Sequence, residues 1–117
     1  MTPIRLRNLL AELPAGGEEA FEPLLERAGL RIERIVSSGQ ATPPGEWYDQ
    51  CDDEWVLLLA GTAGLLLEGE PEPRRLSPGD CLLLPARCRH RVAWTDPDVP
   101  TVWLAVHFGS PHQSDPA

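Results

Sequence analysis

The sequence predicts a small all-β protein with one short helix near its N-terminus. Thirteen prolines and ten glycines interrupt the 117 residues, and both residue types disfavour helix interiors and favour turns. The apolar stretches between these turns are short, and several alternate in the way that half-buried strands do. Short strands at near-even spacing are typical of a β-sandwich or a β-barrel. The length suits one domain with one core.

The predicted helix covers residues 18–28. Four apolar side chains there have the i, i+3, i+4, i+7 spacing of one helix face: Phe21, Leu24, Leu25 and Ala28. Two glutamates suit the start of this helix, and Gly29 suits its end. Pro23 is tolerated only in the first turn. Residues 1–29 are therefore expected to form a lead-in that contains this helix.

From residue 30 onward the pattern predicts strands. We expect them at residues 30–36, 47–50, 54–60, 63–68, 74–76, 81–84, 90–95 and 101–108. The clearest turn is Ser-Pro-Gly-Asp at residues 77–80, because proline at i+1 and glycine at i+2 satisfy a type II turn. We expect a barrel over residues 30–108, followed by a polar tail over residues 109–117.

The net charge of −8 argues against two classes of partner. An acidic surface repels phosphate backbones and anionic lipids, so we expect neither nucleic acid nor a membrane as partner. The three cysteines are odd in number and form no C-x2-C pair, which argues against a disulfide framework or a zinc knuckle. Reduced thiols, the lack of a signal-peptide pattern and the lack of an apolar run near ~20 residues predict a cytoplasmic protein.

Two spaced motifs resemble those of the cupin superfamily. Glu54, six further residues and then Gly61 match the end of the first cupin motif, G-x5-H-x-H-x3,4-E-x6-G. Gly79, Pro85 and His90 match the spacing of the second motif, G-x5-P-x-G-x2-H-x3-N. The resemblance covers residues 41–108. It implies a small single-domain cupin, which folds as a double-stranded β-helix, or jelly-roll barrel.

The resemblance also implies a metal site, but the motif is degenerate here. Metal-binding cupins use two histidines and the glutamate of the first motif and the histidine of the second. Glu54 and His90 occupy two of these positions, and counting back from Glu54 places Tyr48 and Gln50 at the histidine positions. We prefer this count because Glu54 and the motif glycine lie on one strand, whereas loops absorb insertions. The alternative count, forward from Gly45, gives Cys51 and Asp53.

The second motif departs from the pattern as well, with Arg87 at its glycine and Trp94 at its asparagine. We expect at most a weak site, in which His90, Glu54 and Gln50 would hold a divalent transition metal. Four residues are weighed as substitute ligands if the preceding loop folds inward: Asp49, Cys51, Asp52 and His107.

Strand alternation sorts the neighbours of the expected pocket. If His90 points inward, then Val92 and Trp94 point inward too, whereas Arg89 and Arg91 face out. With Arg87, these arginines form either a solvated face, a salt-bridging dimer surface or an anchor for an anion. On residues 101–108 both faces are apolar, so the pattern does not decide on which side His107 lies. The expected ligand-binding residues are Tyr48, Gln50, Glu54, His90 and Trp94.

Three hypotheses on function follow. The first is a cupin that binds a small molecule in the barrel pocket without catalysis of its own. The alternative is a metal-dependent cupin enzyme, an oxygenase, isomerase or lyase, with His90 and Glu54 at the metal. The third is an interaction role through a homodimer, which the resemblance implies and which would protect exposed strand edges. No G-x-S-x-G elbow, glycine-rich phosphate loop or H-E-x-x-H motif supports other chemistry.

Overall fold

The computed structural model describes residues 2–14 and 17–109. Eight strands form in this part of the chain, and no helix does. They are β1 (Ala20–Arg27), β2 (Leu30–Ser37), β3 (Asp53–Ala60), β4 (Ala63–Leu67), β5 (Arg74–Leu76), β6 (Cys81–Leu84), β7 (His90–Thr95) and β8 (Thr101–Phe108). The all-β prediction is confirmed. Within the described residues, nothing has the helical length and apolar character needed to cross a membrane.

The strands pack as two antiparallel sheets. The larger sheet has five strands in the order β1-β2-β8-β3-β6, and the smaller has three in the order β5-β4-β7. Consecutive strands β7 and β8 therefore lie in different sheets, as do β3 and β4. The buried apolar side chains of both sheets meet between the layers and form the core: Val56, Leu58, Ala63, Leu65, Leu76, Leu84 and Trp103.

The prediction of a helix at residues 18–28 is wrong, because most of this segment forms β1. Its residues pair antiparallel with β2 from Ala20↔Val36 to Arg27↔Leu30, and the two strands are joined by a tight turn. Gly29 has φ 74 in that turn, a value that glycine adopts at little cost. The register shifts between Pro23 and Leu25. This bulge places two leucines in succession and so imitates helical spacing in the sequence.

Most of the other predicted strands lie close to the observed ones. Residues 47–50 are the exception, since this segment contributes only an isolated bridge between Tyr48 and His90. The predicted turn at residues 77–80 agrees with the structure, where Gly79 has φ 94 and the amide of Asp80 donates to the carbonyl of Ser77 over 2.9 Å. Backbone shape in this part of the chain thus follows the glycine and proline positions.

Strand β7 contains an irregularity that matters for the site. Gly64 pairs with Trp94, but the next residue, Leu65, pairs with Val92, so Ala93 is an extra residue in β7. A single extra residue reverses the inside–outside alternation of a strand. Residues after Ala93 therefore face the opposite way from the one that simple alternation from His90 predicts.

Candidate functional site

A cavity of about 330 Å³ lies between the two sheets. The five-stranded sheet contributes acidic, basic and aromatic side chains to its wall, and the shorter sheet contributes His90 and Val92. Such a volume falls within the range of small-molecule sites. The predicted residues Tyr48, Gln50, Glu54 and His90 all line this cavity.

Strand pairing sets the position of three charged or titratable side chains on one wall. His107 of the central strand β8 is the register partner of Arg31 on β2 and of Glu54 on β3. Directly paired residues on neighbouring strands place their side chains side by side on the same face. Because Arg31, His107 and Glu54 form one row across the sheet, they face the cavity together.

Glu54 lies between two imidazoles. Its Oε1 is 3.6 Å from Nε2 of His90 on the opposite sheet, and its Oε2 is 3.8 Å from Nε2 of His107. His107 Nε2 also lies 3.0 Å from Oε1 of Glu33. The result is an alternating row of carboxylates and imidazoles, Glu33, His107, Glu54 and His90, across the cavity. Glu54 and both histidines are buried.

Burial is the main influence on the pKa of Glu54. Burial raises the pKa of this carboxyl above its usual value, while the nearby His107 and His90 act in the opposite direction. His90 Nδ1 is 2.9 Å from the carbonyl oxygen of Cys88, and a carbonyl only accepts, so Nδ1 carries the proton. Nε2 of a neutral His90 therefore presents a lone pair toward Glu54. Glu54 Oε1 and His90 Nε2 are too far apart for a direct hydrogen bond, so a proton would pass between them through a bound group or after a closer approach.

Tyr48 and Gln50 frame the same region. The Tyr48 ring stacks on His90 with a centroid distance of 5.4 Å and an interplanar angle of 24°. Burial and then the charge of Glu19 raise the pKa of the Tyr48 phenol, whereas a hydrogen bond with Thr42 lowers it. Gln50 has a buried side-chain oxygen without a hydrogen-bond partner, and so does Glu54 at Oε1. Gln50 Oε1 and Glu54 Oε1 can both accept a hydrogen bond.

Trp94 does not line the cavity, so its predicted place in the pocket is wrong. The extra residue at Ala93 reverses the alternation of β7 after Val92, which does line the cavity as predicted. The Trp94 indole instead covers Gly64, where a side chain would collide with it. The Arg75 guanidinium carbon lies 5.7 Å from the centre of its ring.

A family model of the cupin domain matches residues 35–107, more than half of the chain. This protein belongs to the cupin family. No curated protein matches the chain.

Solved structures resemble this cupin over most of its length. A protein from Ralstonia eutropha JMP134, named "putative mannose-6-phosphate isomerase", is 57% identical, covers 92% of this chain and 100% of its own, and has a TM-score of 0.88. A cupin superfamily protein from Desulfitobacterium hafniense DCB-2 is 15% identical over 94% of both chains, with a TM-score of 0.74. An RmlC-like cupin from Methanocaldococcus jannaschii is 18% identical over 84% of this chain and 86% of its own, with a TM-score of 0.67.

The donor set of this cupin does not fit a resident metal ion. Two of the four motif positions carry Tyr48, whose ring is stacked on His90, and Gln50, whose amide oxygen is a weak ligand. Within residues 2–14 and 17–109, no three histidine, cysteine, aspartate or glutamate side chains are grouped so that they could hold a metal. Among the substitutes considered from the sequence, His107 lines the cavity, whereas Asp49, Cys51 and Asp52 do not.

The motif departure at Arg87 has a visible backbone consequence. Arg87 occupies the position where the cupin motif has glycine, and it adopts φ 66. The backbone here thus has the left-handed conformation of the motif glycine, which glycine adopts without strain and arginine does not. The side chain forms an ion pair with Asp49 at 3.2 Å, and the amide donates to the carbonyl of Gln50 over 2.7 Å. These contacts hold the segment that carries Tyr48 and Gln50 against the start of β7.

Arg89 and Arg91, the other two arginines expected to face out near His90, also have partners within the chain. Arg89 forms an ion pair with Glu68 at 2.6 Å, and both Arg89 and Arg91 lie over the Trp47 ring, at 5.5 Å and 5.9 Å from its centre. Arg91 also donates to the carbonyl of Thr42 over 3.0 Å. These contacts are those of a solvated face with local partners.

Glu33 is the main cavity residue that sequence reasoning missed. Charged and apolar residues occupy both faces of β2, so alternation alone does not show which face is inside. The pairing of β2 with β8 supplies that information, because it puts Arg31 beside His107 and Glu33 two residues further along the same face. If His107 is known to face inward, its partner Arg31 must face inward too, and so must Glu33, because strand side chains alternate with a period of two residues.

Proposed function

We propose that this cupin binds a small molecule in its cavity through a ligand that donates hydrogen bonds. The observation that carries the proposal is the pair of buried acceptors without partners, Gln50 Oε1 and Glu54 Oε1, in the wall of one cavity. A buried acceptor without a partner costs about 1–3 kcal/mol. A ligand hydroxyl or amine that reaches both oxygens would recover that energy.

The rest of the lining supports the same ligand chemistry. Three carboxylates line the cavity, Glu19, Glu33 and Glu54, and they all accept hydrogen bonds once ionised. Aromatic rings of Phe21 and Trp103 supply flat apolar walls. A few convergent polar groups on a mainly apolar wall are typical of sites that bind small organic ligands in one orientation.

The name of the 57% identical structure suggests sugars as a first set of probes. Sugar hydroxyls are hydrogen-bond donors and match the orphaned acceptors. A phosphate group finds less support, because Arg31 is the lone arginine or lysine among the described residues that line the cavity, and three carboxylates line the same cavity. Unphosphorylated sugars and polyols are therefore expected to bind at least as well as their phosphates.

Isotope-labelled protein titrated with mannose, fructose, their 6-phosphates and glycerol tests this proposal by amide NMR shifts. We expect shifts centred on residues 48–54 and 90–92, and Glu54→Gln should weaken binding on the order of tenfold or more, as the loss of one charge-assisted hydrogen bond implies. The matched control Glu26→Gln changes an exposed glutamate away from the cavity. The proposal fails if no probe shifts these signals and native mass spectrometry finds no retained molecule.

A second candidate function is proton transfer on a bound ligand, which the placement of Glu54 between two imidazole nitrogens favours. In an aldose–ketose isomerisation, the base takes the proton from C2 and a proton returns at C1, while another passes from O2 to O1. No oxidant or reductant is consumed. Glu54 with His90 would serve as the acid–base pair, and His107, oriented by Glu33, would be the second proton carrier on the other side of the carboxyl.

Incubation of mannose 6-phosphate and of free mannose in D₂O tests this candidate. Deuterium uptake at the exchanging carbon, lost in Glu54→Gln and retained in Glu26→Gln, would support it. No uptake by the wild-type protein would refute it and leave the binding function standing.

The metal-dependent alternative predicts near-stoichiometric metal in protein purified without chelator or nickel resin, and loss of that metal in His90→Ala. The donor set described above predicts the opposite result.

A further inference from the structure

Three hydrogen-bond acceptors in the cavity wall have no donor within the described part of the chain. Gln50 Oε1 and Glu54 Oε1 are buried without a partner, and Glu54 as a whole exposes only 8% of its surface. His90 Nε2 is the third acceptor, because the ring carries its proton on Nδ1, beside the carbonyl oxygen of Cys88. Glu54 Oε1 and His90 Nε2 lie 3.6 Å apart, and neither satisfies the other. All three side chains line the same cavity.

A primary ammonium group matches this set of acceptors better than a hydroxyl does. An ammonium has three N–H donors and no acceptor, whereas a hydroxyl has one donor and brings acceptor lone pairs of its own. A single hydroxyl can donate fully to one of the three acceptors and leaves the other two unsatisfied. The positive charge of an ammonium also stabilises the ionised carboxylate of Glu54. The number and type of donors required therefore favour an amine.

The charges of the cavity wall favour a cation as well. Of its three glutamates, Glu33 has an arginine partner, Arg31, at 4.0 Å. Within residues 2–14 and 17–109, no arginine forms an ion pair with Glu19 or Glu54. The Arg31 side chain is 48% exposed, so water and salt screen its charge. Three carboxylates and one screened guanidinium attract a cationic ligand more than an anionic one.

Aromatic rings surround the same space. Tyr48 stacks on His90, and Phe21 and Trp103 line the cavity. The face of an aromatic ring attracts an ammonium ion and also covers the apolar carbon atoms next to its nitrogen. A volume of about 330 Å³ has room for a carbon frame in addition to the ammonium group. Amino sugars and amino alcohols have this combination of parts.

We propose that the ligand of this cavity carries a primary ammonium group, which donates to Gln50 Oε1, Glu54 Oε1 and His90 Nε2. The inference rests on the binding function proposed above, and it narrows the ligand class from hydrogen-bond donors in general to amines. Glu54 determines this specificity, because it is the one member of the three that can carry a negative charge.

Two matched ligand pairs test the inference, because each pair differs by an ammonium group in place of a hydroxyl. They are mannosamine with mannose, and ethanolamine with ethylene glycol. Dissociation constants come from amide NMR shifts of the isotope-labelled full chain at neutral pH, with EDTA present so that no metal ion takes part. We expect each amine to bind about tenfold more tightly than its alcohol, because charge-assisted hydrogen bonds are the stronger ones. Desolvation of the ammonium keeps the difference from being larger.

Glu54→Gln keeps the size of the side chain and removes its charge. It should lower the ratio of amine to alcohol affinity by about tenfold, whereas the control Glu26→Gln, at an exposed glutamate outside the cavity, should leave the ratio unchanged. Both variants remove one negative charge, so a general attraction of cations to an acidic chain would change the ratio equally in the two. Should Glu54→Gln fail to fold, Arg31→Gln is the second variant. It removes the exposed cation from the cavity wall and should raise the affinity for amines about twofold without changing that for alcohols.

Equal affinities for amines and alcohols would overturn the inference and leave the binding function standing. A preference for amines that Glu26→Gln reduces as much as Glu54→Gln would overturn it too. If neither amine shifts the amide signals, the inference also fails, whereas the binding function is decided by the full set of sugar and polyol probes and by native mass spectrometry. The two proposals can therefore fail separately.

Discussion

Gly61, the glycine that ends the first cupin motif and lies in the turn between β3 and β4, should tolerate substitution poorly. It has φ 81, and a Cβ atom there would lie 2.6 Å from the Cα of Thr101 and 2.8 Å from the carbonyl oxygen of Pro100. Both contacts are to backbone, so neither can be relieved by a side-chain rotation. The left-handed conformation costs an alanine about 1–2 kcal/mol, and the forced displacement adds about 1–3 kcal/mol. We expect Gly61→Ala to cost about 2–5 kcal/mol.

Gly69→Ala is the matched control, because Gly69 has φ 91 but a Cβ atom there meets nothing within 4 Å. It should cost only the backbone term of about 1–2 kcal/mol. Urea unfolding at one fixed protein concentration, followed by tryptophan fluorescence, gives both values. Equal losses within about 0.5 kcal/mol would refute the reasoning, since they would mean that the turn does not approach the start of β8 closely.

Three further predictions concern the site and its support. Arg87→Gly should be about 1 kcal/mol more stable than Arg87→Ala in urea unfolding, because both lose the ion pair but only glycine relieves the positive φ; equal stabilities would contradict this. Because burial raises the pKa of Glu54, the contribution of Glu54 to stability falls as pH rises through that pKa. Glu54→Gln should therefore match the wild type below pH 4.5, the ordinary value, and exceed its melting temperature by a few degrees at pH 8; a constant difference across this range would refute the assignment. Ser37, fully buried, accepts from Trp103 Nε1 over 3.1 Å, so Ser37→Ala should cost about 1–3 kcal/mol in urea unfolding while exposed Ser38→Ala costs little.

The positions of the strands were largely predictable because the residues that form turns act only on the backbone next to them. Glycine and proline restrict the backbone wherever they occur, so residues 81–84, 90–95 and 101–108 could be bounded directly. The segment at residues 18–28 could not, because a bulge near Pro23 gives a strand the apolar spacing of a helix. Only its pairing with residues 30–37, which is a tertiary contact, decides between the two.

The site could be predicted where motif spacing fixed the residues. Glu54 and His90 were expected to meet, and their side chains are 3.6 Å apart across the cavity. Their roles in binding stay predictions. Trp94 was misplaced because one inserted residue in a strand leaves no mark in the sequence. Glu33 was missed because its strand is charged on both faces.

The extra residue at Ala93 makes the two halves of β7 differ in which side chains face the cavity. Both halves pair with β4, but His90 and Val92 also line the cavity, whereas Trp94 and Thr95 do not. A substitution at Trp94 or Thr95 therefore changes no side chain of the cavity wall. A substitution at His90 or Val92, by contrast, changes the cavity wall and the pairing with β4 together.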